Sequence, residues 1–253
     1  GFCLVGSEMC IRDSNKETAQ NNHFQNSNLD FSSPKITDFA RKEFDQLVAK
    51  LDSKGVDVLV FDPEGNDQNP DAVFPNNWFS IHENGTKVLY PMYAQNRRKE
   101  RNVEVFNILE DQMSFKINHT INLTFYEDQN LFLEGTGSMV LDRVNQIAYA
   151  AISERTSEKI LDDFANQMNY EIMSFSSFYQ SNLIYHTNVM MCLGNDFALI
   201  GLDTIKEVNE REMIINSFER TNKKIIEISS DQIGSFAGNM LQVFGKESQP
   251  LIC

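Results

Sequence analysis

The chain has 253 residues, a formal net charge of -14 at pH 7 and a hydrophobic content of 41%. This length allows one large domain or two small ones with an ordinary core. The acidic excess argues against nucleic acid and anionic membranes as partners, because each requires a basic surface on the protein. It says little about a small-molecule substrate.

The four cysteines Cys3, Cys10, Cys192 and Cys253 are far apart and form no C-x-x-C pair. This pattern indicates neither a disulfide framework nor a zinc site, so we expect a reducing, cytoplasmic setting and no metal. No apolar run approaches the length of a membrane span, so no membrane partner is expected.

The first residues differ in character from the rest of the chain. The stretch CLVGSEMCIRDS, residues 3–14, resembles a translated sequencing adaptor. We therefore interpret residues 1–14 as a non-native leader and expect residues 15–253 to form a single domain.

The remaining chain follows one repeated plan of an amphipathic helix, a strand, a loop and a strand hairpin. Apolar spacing predicts helices, and short apolar runs between turn residues predict strands. The first two repeats comprise a helix at 36–51 with Gly55 as its C-cap, a strand at 56–61, a hairpin of 72–82 with 86–90, a helix at 97–109, and strands at 131–141 and 146–152. The next two comprise a helix at 157–168, a strand at 171–175, a hairpin of 185–193 with 197–202, a helix at 204–218, a strand at 224–228, and a hairpin that starts near 238.

The predicted hairpin turns lie near Asn84, Asn145, Asn195 and Gly245. Their separations of about 50 to 60 residues are typical of radial or stacked repeats, since one such unit cannot bury its own apolar face. The alternative is an α+β sandwich in which the spacing is a coincidence.

Three polar motifs occupy equivalent places, each leading into a hairpin. They are DAVFPNNWFS at 71–80, LEGTGS at 133–138 and YHTN at 185–188. In a radial fold, equivalent positions converge near the axis, so these side chains can share one pocket.

Together with SERT at 153–156 and GNMLQV at 238–243, these motifs resemble the pentein superfamily of guanidino-group-modifying enzymes. The likeness is greatest to the citrulline-utilisation hydrolase (CtlX-type) branch and extends over residues 18–253. It implies an α/β fold, the five-bladed pseudo-symmetric pentein propeller. About four repeats are present, and the fifth would be missing.

The resemblance also implies roles for individual residues. His186 matches the histidine that protonates the leaving amine and then activates water. Glu134 matches the acidic residue that orients this histidine. Arg155 matches an arginine that binds the substrate's carboxylate, and Asp71 matches an aspartate that binds substrate.

Three asparagines stand where relatives carry acidic side chains. Asn76 and Asn77 replace an acidic pair, and Asn188 replaces a carboxylate of the deiminases. A carboxylate complements a guanidinium cation, whereas an amide is neutral and offers hydrogen-bond donors. We therefore expect a neutral, citrulline-like ureido substrate. Gly137 also stands where relatives often carry an aspartate, and its consequence is open.

The resemblance implies hydrolysis of a carbon–nitrogen bond of a ureido or guanidino amino acid through a covalent intermediate. This mechanism needs a cysteine thiolate to attack the central carbon, and the family carries that cysteine near its C-terminus. The chain stops within an apolar run at 249–253, which we interpret as the end of a fragment. Cys192 shares a predicted strand with His186 at roughly 20 Å, so we expect a packed core thiol and an inactive fragment. No cofactor is implied, and the expected partner is a small amino acid.

Two alternatives remain open at this point. The chain could be a non-catalytic pentein binding module, or its enzyme could transfer an amidino group to an amine acceptor. The oligomeric state is open as well. Elsewhere, the basic run 97–101 indicates a solvated helix face with carboxylate partners, and His82 and His119 are interpreted as surface or turn residues.

Overall fold

The computed structural model describes Phe24 and residues 34–61, 71–113, 115–246 and 250–253. Residues 1–14, which include Cys3 and Cys10, lie outside this part. The chain forms two compact units. The first comprises Gly1–Pro75, Ala94–Phe115 and Val243–Cys253, and the second comprises Asn76–Tyr93 and Lys116–Gln242.

The helices vary from one turn to twenty residues. They are α1 (Pro34–Ser53), α2 (Glu104–Met113), α3 (Gly135–Ser138), α4 (Glu158–Met168), α5 (Val208–Arg220) and α6 (Ser230–Gly234). Short 3-10 turns occur at Pro75–Asn77, Asn96–Glu100, Thr124–Gln129, Thr187–Val189 and Leu202–Thr204.

The strands are short. They are β1 (Phe79–Ile81), β2 (Thr86–Leu89), β3 (His119–Asn122), β4 (Val140–Asp142), β5 (Ile147–Ala151), β6 (Glu171–Phe175), β7 (Phe178–Tyr179), β8 (Asn182–Leu183), β9 (Met191–Leu193), β10 (Phe197–Ile200), β11 (Lys224–Glu227), β12 (Gln242–Phe244) and β13 (Pro250–Ile252).

In the first unit, α1 confirms the predicted helix and ends at Gly55. The φ of Gly55 is +75°, the left-handed conformation that favours glycine after a helix. Beyond it, Val56 is buried together with Leu51 and Val243. The predicted strand 56–61 is wrong, because residues 56–61 adopt no strand in the described part of the chain.

The second unit contains three sheets of one design. In each, a hairpin is extended by a third strand that pairs in parallel, in the orders β1-β2-β3, β4-β5-β6 and β9-β10-β11. A parallel pair requires a long crossover, which α4 supplies in the second sheet and α5 in the third. The predicted hairpins around Asn84, Asn145 and Asn195 are confirmed.

Helix α4 shows why the crossover packs. Its buried residues Ile160, Leu161, Phe164 and Met168 recur at helical spacing and form one apolar face. This face belongs to a core that also includes Val88, Tyr90, Ile121, Leu133, Ala148 and Ala150. The core therefore joins the first two sheets through one helix.

Three long predicted strands, 72–82, 131–141 and 185–193, are wrong in the same way. Each is replaced by a helical turn followed by a three-residue strand. Pro75–Asn77 precedes β1, α3 precedes β4, and Thr187–Val189 precedes β9. The apolar pattern continues through each turn because the turn is itself buried in part, so periodicity alone does not reveal it.

Other differences have local causes. The predicted helix 97–109 is divided, because the Asn102 side chain accepts a hydrogen bond from the Glu104 N–H at 2.9 Å and starts a new helix there. Strand β3 and the hairpin of β7 with β8 are additional to the predicted elements. His119 is exposed, as expected.

His82 is not a surface residue. It is 6% exposed and contacts the Ser80 hydroxyl at 2.9 Å through Nε2. Arg143 lies 3.1 Å from its Nδ1. Burial first and Arg143 second lower the pKa of His82 to about 3, so its ring is neutral near pH 7.

Candidate active site

The three helical turns of the second unit bring Asn77, Gly137 and His186 together. A Cβ atom built on Gly137 would collide with Nδ2 of Asn77 and would lie 2.8 Å from Nδ1 of His186. Asn77 is 4% exposed and His186 is 6% exposed. The predicted convergence of equivalent positions from successive repeats is therefore observed for these three residues.

His186 and Glu134 form a buried pair. The distance from His186 Nε2 to Glu134 Oε2 is 2.7 Å. Because a carboxylate only accepts hydrogen bonds, Nε2 carries the ring proton and donates the hydrogen bond to Oε2 of Glu134. The other ring nitrogen, Nδ1, faces the turn that carries Gly137.

Glu134 is held by its neighbours at both its main chain and its side chain. Its N–H donates to the Ser138 hydroxyl at 2.9 Å, and this hydroxyl donates to the Arg155 carbonyl at 2.7 Å. Its Oε1 accepts a hydrogen bond from the Tyr93 N–H at 3.0 Å. The carboxylate is thereby oriented before any substrate arrives.

Arg155 contacts the same carboxylate oxygen as His186. Its Nη1 lies 3.6 Å from Glu134 Oε2, and Arg155 is 2% exposed. Its guanidinium carbon lies 4.8 Å from the ring centroid of Tyr185 and 5.8 Å from that of Tyr93. The guanidinium therefore balances the charge of Glu134 and is held by cation–π contacts.

Gly135, in the same helical turn as Gly137, is a glycine because of its backbone conformation and its close neighbours. Gly135 has a φ of +46°, and a Cβ on it would collide with the Asn76 carbonyl and lie 3.0 Å from the Asn77 carbonyl. Thr136 adds a hydrogen bond of 3.4 Å from its hydroxyl to the Asn76 carbonyl. These contacts press the two turns together.

The remaining sequence-predicted residues lie in two places. Asn188 is half-buried on the 3-10 turn that follows His186. Asp71 belongs to the first unit and is 5% exposed, with its Oδ2 3.6 Å from Arg97 Nε. For run 97–101 the predicted carboxylate partner is present, because Arg97 pairs with Glu100 at 2.9 Å, but the predicted solvation is wrong for Arg97, which is buried.

Cys192 is a packed core thiol, as predicted. It is 6% exposed and lies in β9, opposite Leu199 of β10. Burial raises the pKa of its thiol to about 11, and a backbone hydrogen bond at Met240 offsets only part of this effect. The premise of a continuous strand from His186 was wrong, since the Thr187–Val189 turn intervenes.

Four residues of the site were not identified from the sequence. Tyr93 and Tyr185 flank Arg155, and Ser138 supports Glu134. Thr187 donates to the Ser138 carbonyl at 2.6 Å and thereby joins the turn that follows His186 to α3. Ser138, Tyr185 and Thr187 stand within the quoted motifs, but Tyr93 carries no signal.

No group of three or more His, Cys, Asp or Glu side chains that could hold a metal ion occurs among the described residues. None of the helices in the described ranges has both the length and the apolar character needed to cross a bilayer.

Comparison with known proteins identifies a family. The family model described as N,N dimethylarginine dimethylhydrolase, eukaryotic, matches residues 10–253. The comparison with curated proteins gives no match.

Solved structures share the fold. Apo ArgZ, described as an arginine dihydrolase from the ornithine-ammonia cycle in cyanobacteria, is 20% identical with a TM-score of 0.61 over 80% of this chain. Unliganded AgrE is 22% identical with a TM-score of 0.66 over 88% of this chain. This chain spans only 30% of the length of either of those chains.

A dimethylarginine dimethylaminohydrolase adduct with 4-chloro-2-hydroxymethylpyridine is 15% identical with a TM-score of 0.53, over 79% of this chain and 70% of its own. The small three-stranded sheets with their crossover helices thus form the mixed α/β fold of pentein enzymes. Because the family model covers nearly the whole chain, the protein belongs to the N,N dimethylarginine dimethylhydrolase family within the pentein (amidinotransferase) superfamily.

Proposed function

We propose that the full-length protein hydrolyses a non-peptide carbon–nitrogen bond of a ureido or guanidino amino acid. The observation that carries this proposal is the buried pair of His186 and Glu134, with Nε2 and Oε2 at 2.7 Å. A binding module has no need of a histidine held in one tautomer by a buried carboxylate.

The pair suits general acid–base chemistry. Glu134 fixes the proton on Nε2 and stabilises the imidazolium, so Nδ1 of His186 exchanges protons with the substrate. In the first step a thiolate attacks the central carbon, and His186 gives a proton to the leaving amine. In the second step His186 takes a proton from water, whose hydroxide displaces the thiolate and restores the free enzyme.

We assign the nucleophile to a cysteine that follows residue 253 in the full-length protein, as the pentein resemblance implies. Cys192 does not qualify, because its pKa near 11 keeps it protonated at neutral pH. Two ArgZ structures support a covalent route in that enzyme. One carries a covalently bound reaction intermediate, and in another a cysteine-to-serine mutant is bound to substrate.

For the substrate we propose a neutral, citrulline-like ureido group. The Asn77 amide lies at the site, and the charge of Glu134 is already balanced by Arg155 at 3.6 Å. A ureido oxygen needs donors and no countercharge, which an amide provides. This preference also favours the citrulline-utilisation branch of the superfamily.

The contacts to the rest of the substrate are proposals as well. We assign Asp71, Asn76 and Asn188 to substrate binding, and Arg155 to the substrate's carboxylate in addition to its contact with Glu134. Cys192 is a free thiol, which is compatible with a reducing, cytoplasmic setting.

The test uses the full-length protein, obtained by reading the gene beyond codon 253. Ammonia release is measured with citrulline and with arginine, and dimethylamine release with N,N-dimethylarginine. We expect ammonia from citrulline at the highest kcat/KM, and a loss of about 1,000-fold in His186→Asn. Higher activity on arginine would refute the ureido preference.

Two other outcomes would replace the proposal. Binding of these amino acids without turnover by the intact enzyme would indicate a binding module. Transfer of the amidino group to an added amine would indicate an amidinotransferase.

A further inference from the structure

Gly137 is a glycine for reasons of space and not of backbone conformation. Its φ lies outside the left-handed region, so an L-residue could adopt this backbone without strain. A Cβ at this position would nevertheless meet the Asn77 amide nitrogen and two atoms of the His186 ring, at 2.8 Å and 2.9 Å for the ring atoms. A Cβ atom does not approach other heavy atoms this closely in folded proteins.

Neither neighbour can easily move away. His186 is held through Nε2 by Glu134, which is 0% exposed. Asn77 belongs to the turn whose carbonyls lie against Gly135, and the residue is 4% exposed. A side chain at position 137 must therefore displace the Asn77 amide or the imidazole.

Because Gly137 has no side chain, the Asn77 amide can lie beside Nδ1 of His186. The Asn77 Nδ2 and His186 Nδ1 flank the same point in space, the place where a Cβ would stand. A carboxylate beside the imidazole would attract a guanidinium cation, whereas the amide N–H groups donate to a neutral carbonyl oxygen.

We propose that Gly137 is a specificity-determining residue, because its missing side chain admits the Asn77 amide to the side of His186 and thereby selects a neutral ureido group. This inference rests on the proposed function and adds the residue that enforces the substrate class. Gly137 acts through Asn77, so the effect of filling its space must depend on Asn77.

The first experiment measures this geometry without any need for turnover. The imidazole 1H–15N signals of His186 are compared by NMR in the 253-residue protein and in Gly137→Ala. Thr120→Ala is the control, since Thr120 is an exposed residue of β3. We expect a displaced His186 signal in Gly137→Ala, a small change in Thr120→Ala, and a reduced displacement when Gly137→Ala is combined with Asn77→Ala.

The second experiment measures selectivity in the full-length protein. Gly137→Ala should lower kcat/KM for citrulline by about tenfold, and by less than about twofold in the Asn77→Ala background. Asn77→Asp keeps the volume of the side chain but adds a charge. It should shift the ratio of citrulline to arginine kcat/KM toward arginine by about tenfold.

The outcomes separate the two proposals. Equal losses from Gly137→Ala with and without the Asn77 amide, or an unchanged citrulline-to-arginine ratio in Asn77→Asp, would overturn the inference while the hydrolase proposal stands. If the full-length wild type neither binds nor converts citrulline or arginine, the proposed function fails and the inference falls with it, even where the NMR coupling is present.

Discussion

Glu134 is the residue on which the polar contacts of the site converge. It is 0% exposed, and its two carboxylate oxygens are shared among the Tyr93 N–H, the His186 ring and the Arg155 guanidinium. A buried carboxylate is tolerated only when it is hydrogen-bonded and paired with charge. These three partners explain how the acid can be fully buried and still orient a histidine.

Arg155 provides a test of this arrangement. Arg155→Met should reduce the free energy of unfolding by about 3 kcal/mol, because it leaves the Glu134 charge without its cation. Arg155→Lys retains the charge but loses the planar contacts with Tyr93 and Tyr185, so a loss of about 1 kcal/mol is expected. Urea denaturation measures both, and equal losses would contradict a role of charge.

His82 predicts a dependence of stability on pH. Its folded pKa of about 3 lies below the unfolded value of 6.5, so the unfolded chain binds the proton more readily. Its contribution to stability is therefore complete above pH 6.5 and is lost as the pH falls toward 3.

Between pH 7 and pH 5, we expect wild type to lose about 2 kcal/mol more than His82→Gln. The comparison concerns the change with pH, so a constant cost of the substitution does not affect it. Parallel stability curves for the two proteins would show that His82 does not titrate in this way.

At the scale of elements, one short helical turn before each hairpin is the feature that matters. Each of these turns lies between a loop and a strand, and each carries or adjoins a residue of the site. They are Pro75–Asn77, α3 and Thr187–Val189. Two glycines of α3 allow the three turns to contact one another, Gly135 through its positive φ and Gly137 through its missing side chain. Repetition of one local structure therefore assembles the candidate site.

The hairpin of β7 with β8 contains backbone strain. Gln180 and Ser181 have φ values of 46° and 70°, which match a turn that favours Asn-Gly. Replacing both, as Gln180→Asn with Ser181→Gly, should stabilise the protein by about 1 kcal/mol. Thermal denaturation measures the gain. Ser181→Ala, which retains a Cβ, should give none, and an equal gain there would argue against strain as the cause.

At the scale of the molecule, cationic side chains join neighbouring sheets within the second unit, through the buried Lys223 and the exposed Arg143. Lys223, next to β11, lies 3.2 Å from Asp142 of β4 and donates to the carbonyls of Gly194 and Asn195. Arg143 donates to the Ile81 carbonyl of β1 and contacts His82. These contacts connect hairpin turns of successive repeats.

Lys223→Met should therefore reduce the free energy of unfolding by about 3 kcal/mol, since it leaves the buried Asp142 carboxylate with its hydrogen bonds from Asn145 but without its cation. Lys224→Met is the matched control, because Lys224 is exposed, and we expect a change below about 0.5 kcal/mol. Chemical denaturation of both variants measures the difference. Similar losses at the two positions would mean that the buried pair is not what joins the sheets.

The sequence by itself determined the elements whose signals are local. Helices α1 and α4, strand β6 and the turns at Asn84, Asn145 and Asn195 follow from apolar spacing and turn residues a few positions apart. Glu134 and His186 were proposed as site residues through the resemblance of their motifs to pentein enzymes, and the structure brings them to 2.7 Å across 52 residues of sequence.

Only the tertiary structure decided how these residues are held. Several features depend on contacts between distant segments, and hydrophobic periodicity carries no information about such contacts. They are the helical turns before the strands, the burial of His82 and Arg97, and the partners of Arg155. The role of Gly137 is the clearest case. A single glycine produces no recognisable sequence pattern. Its role becomes visible only in the structure, where Asn77 and His186 lie next to the position that a Cβ would occupy.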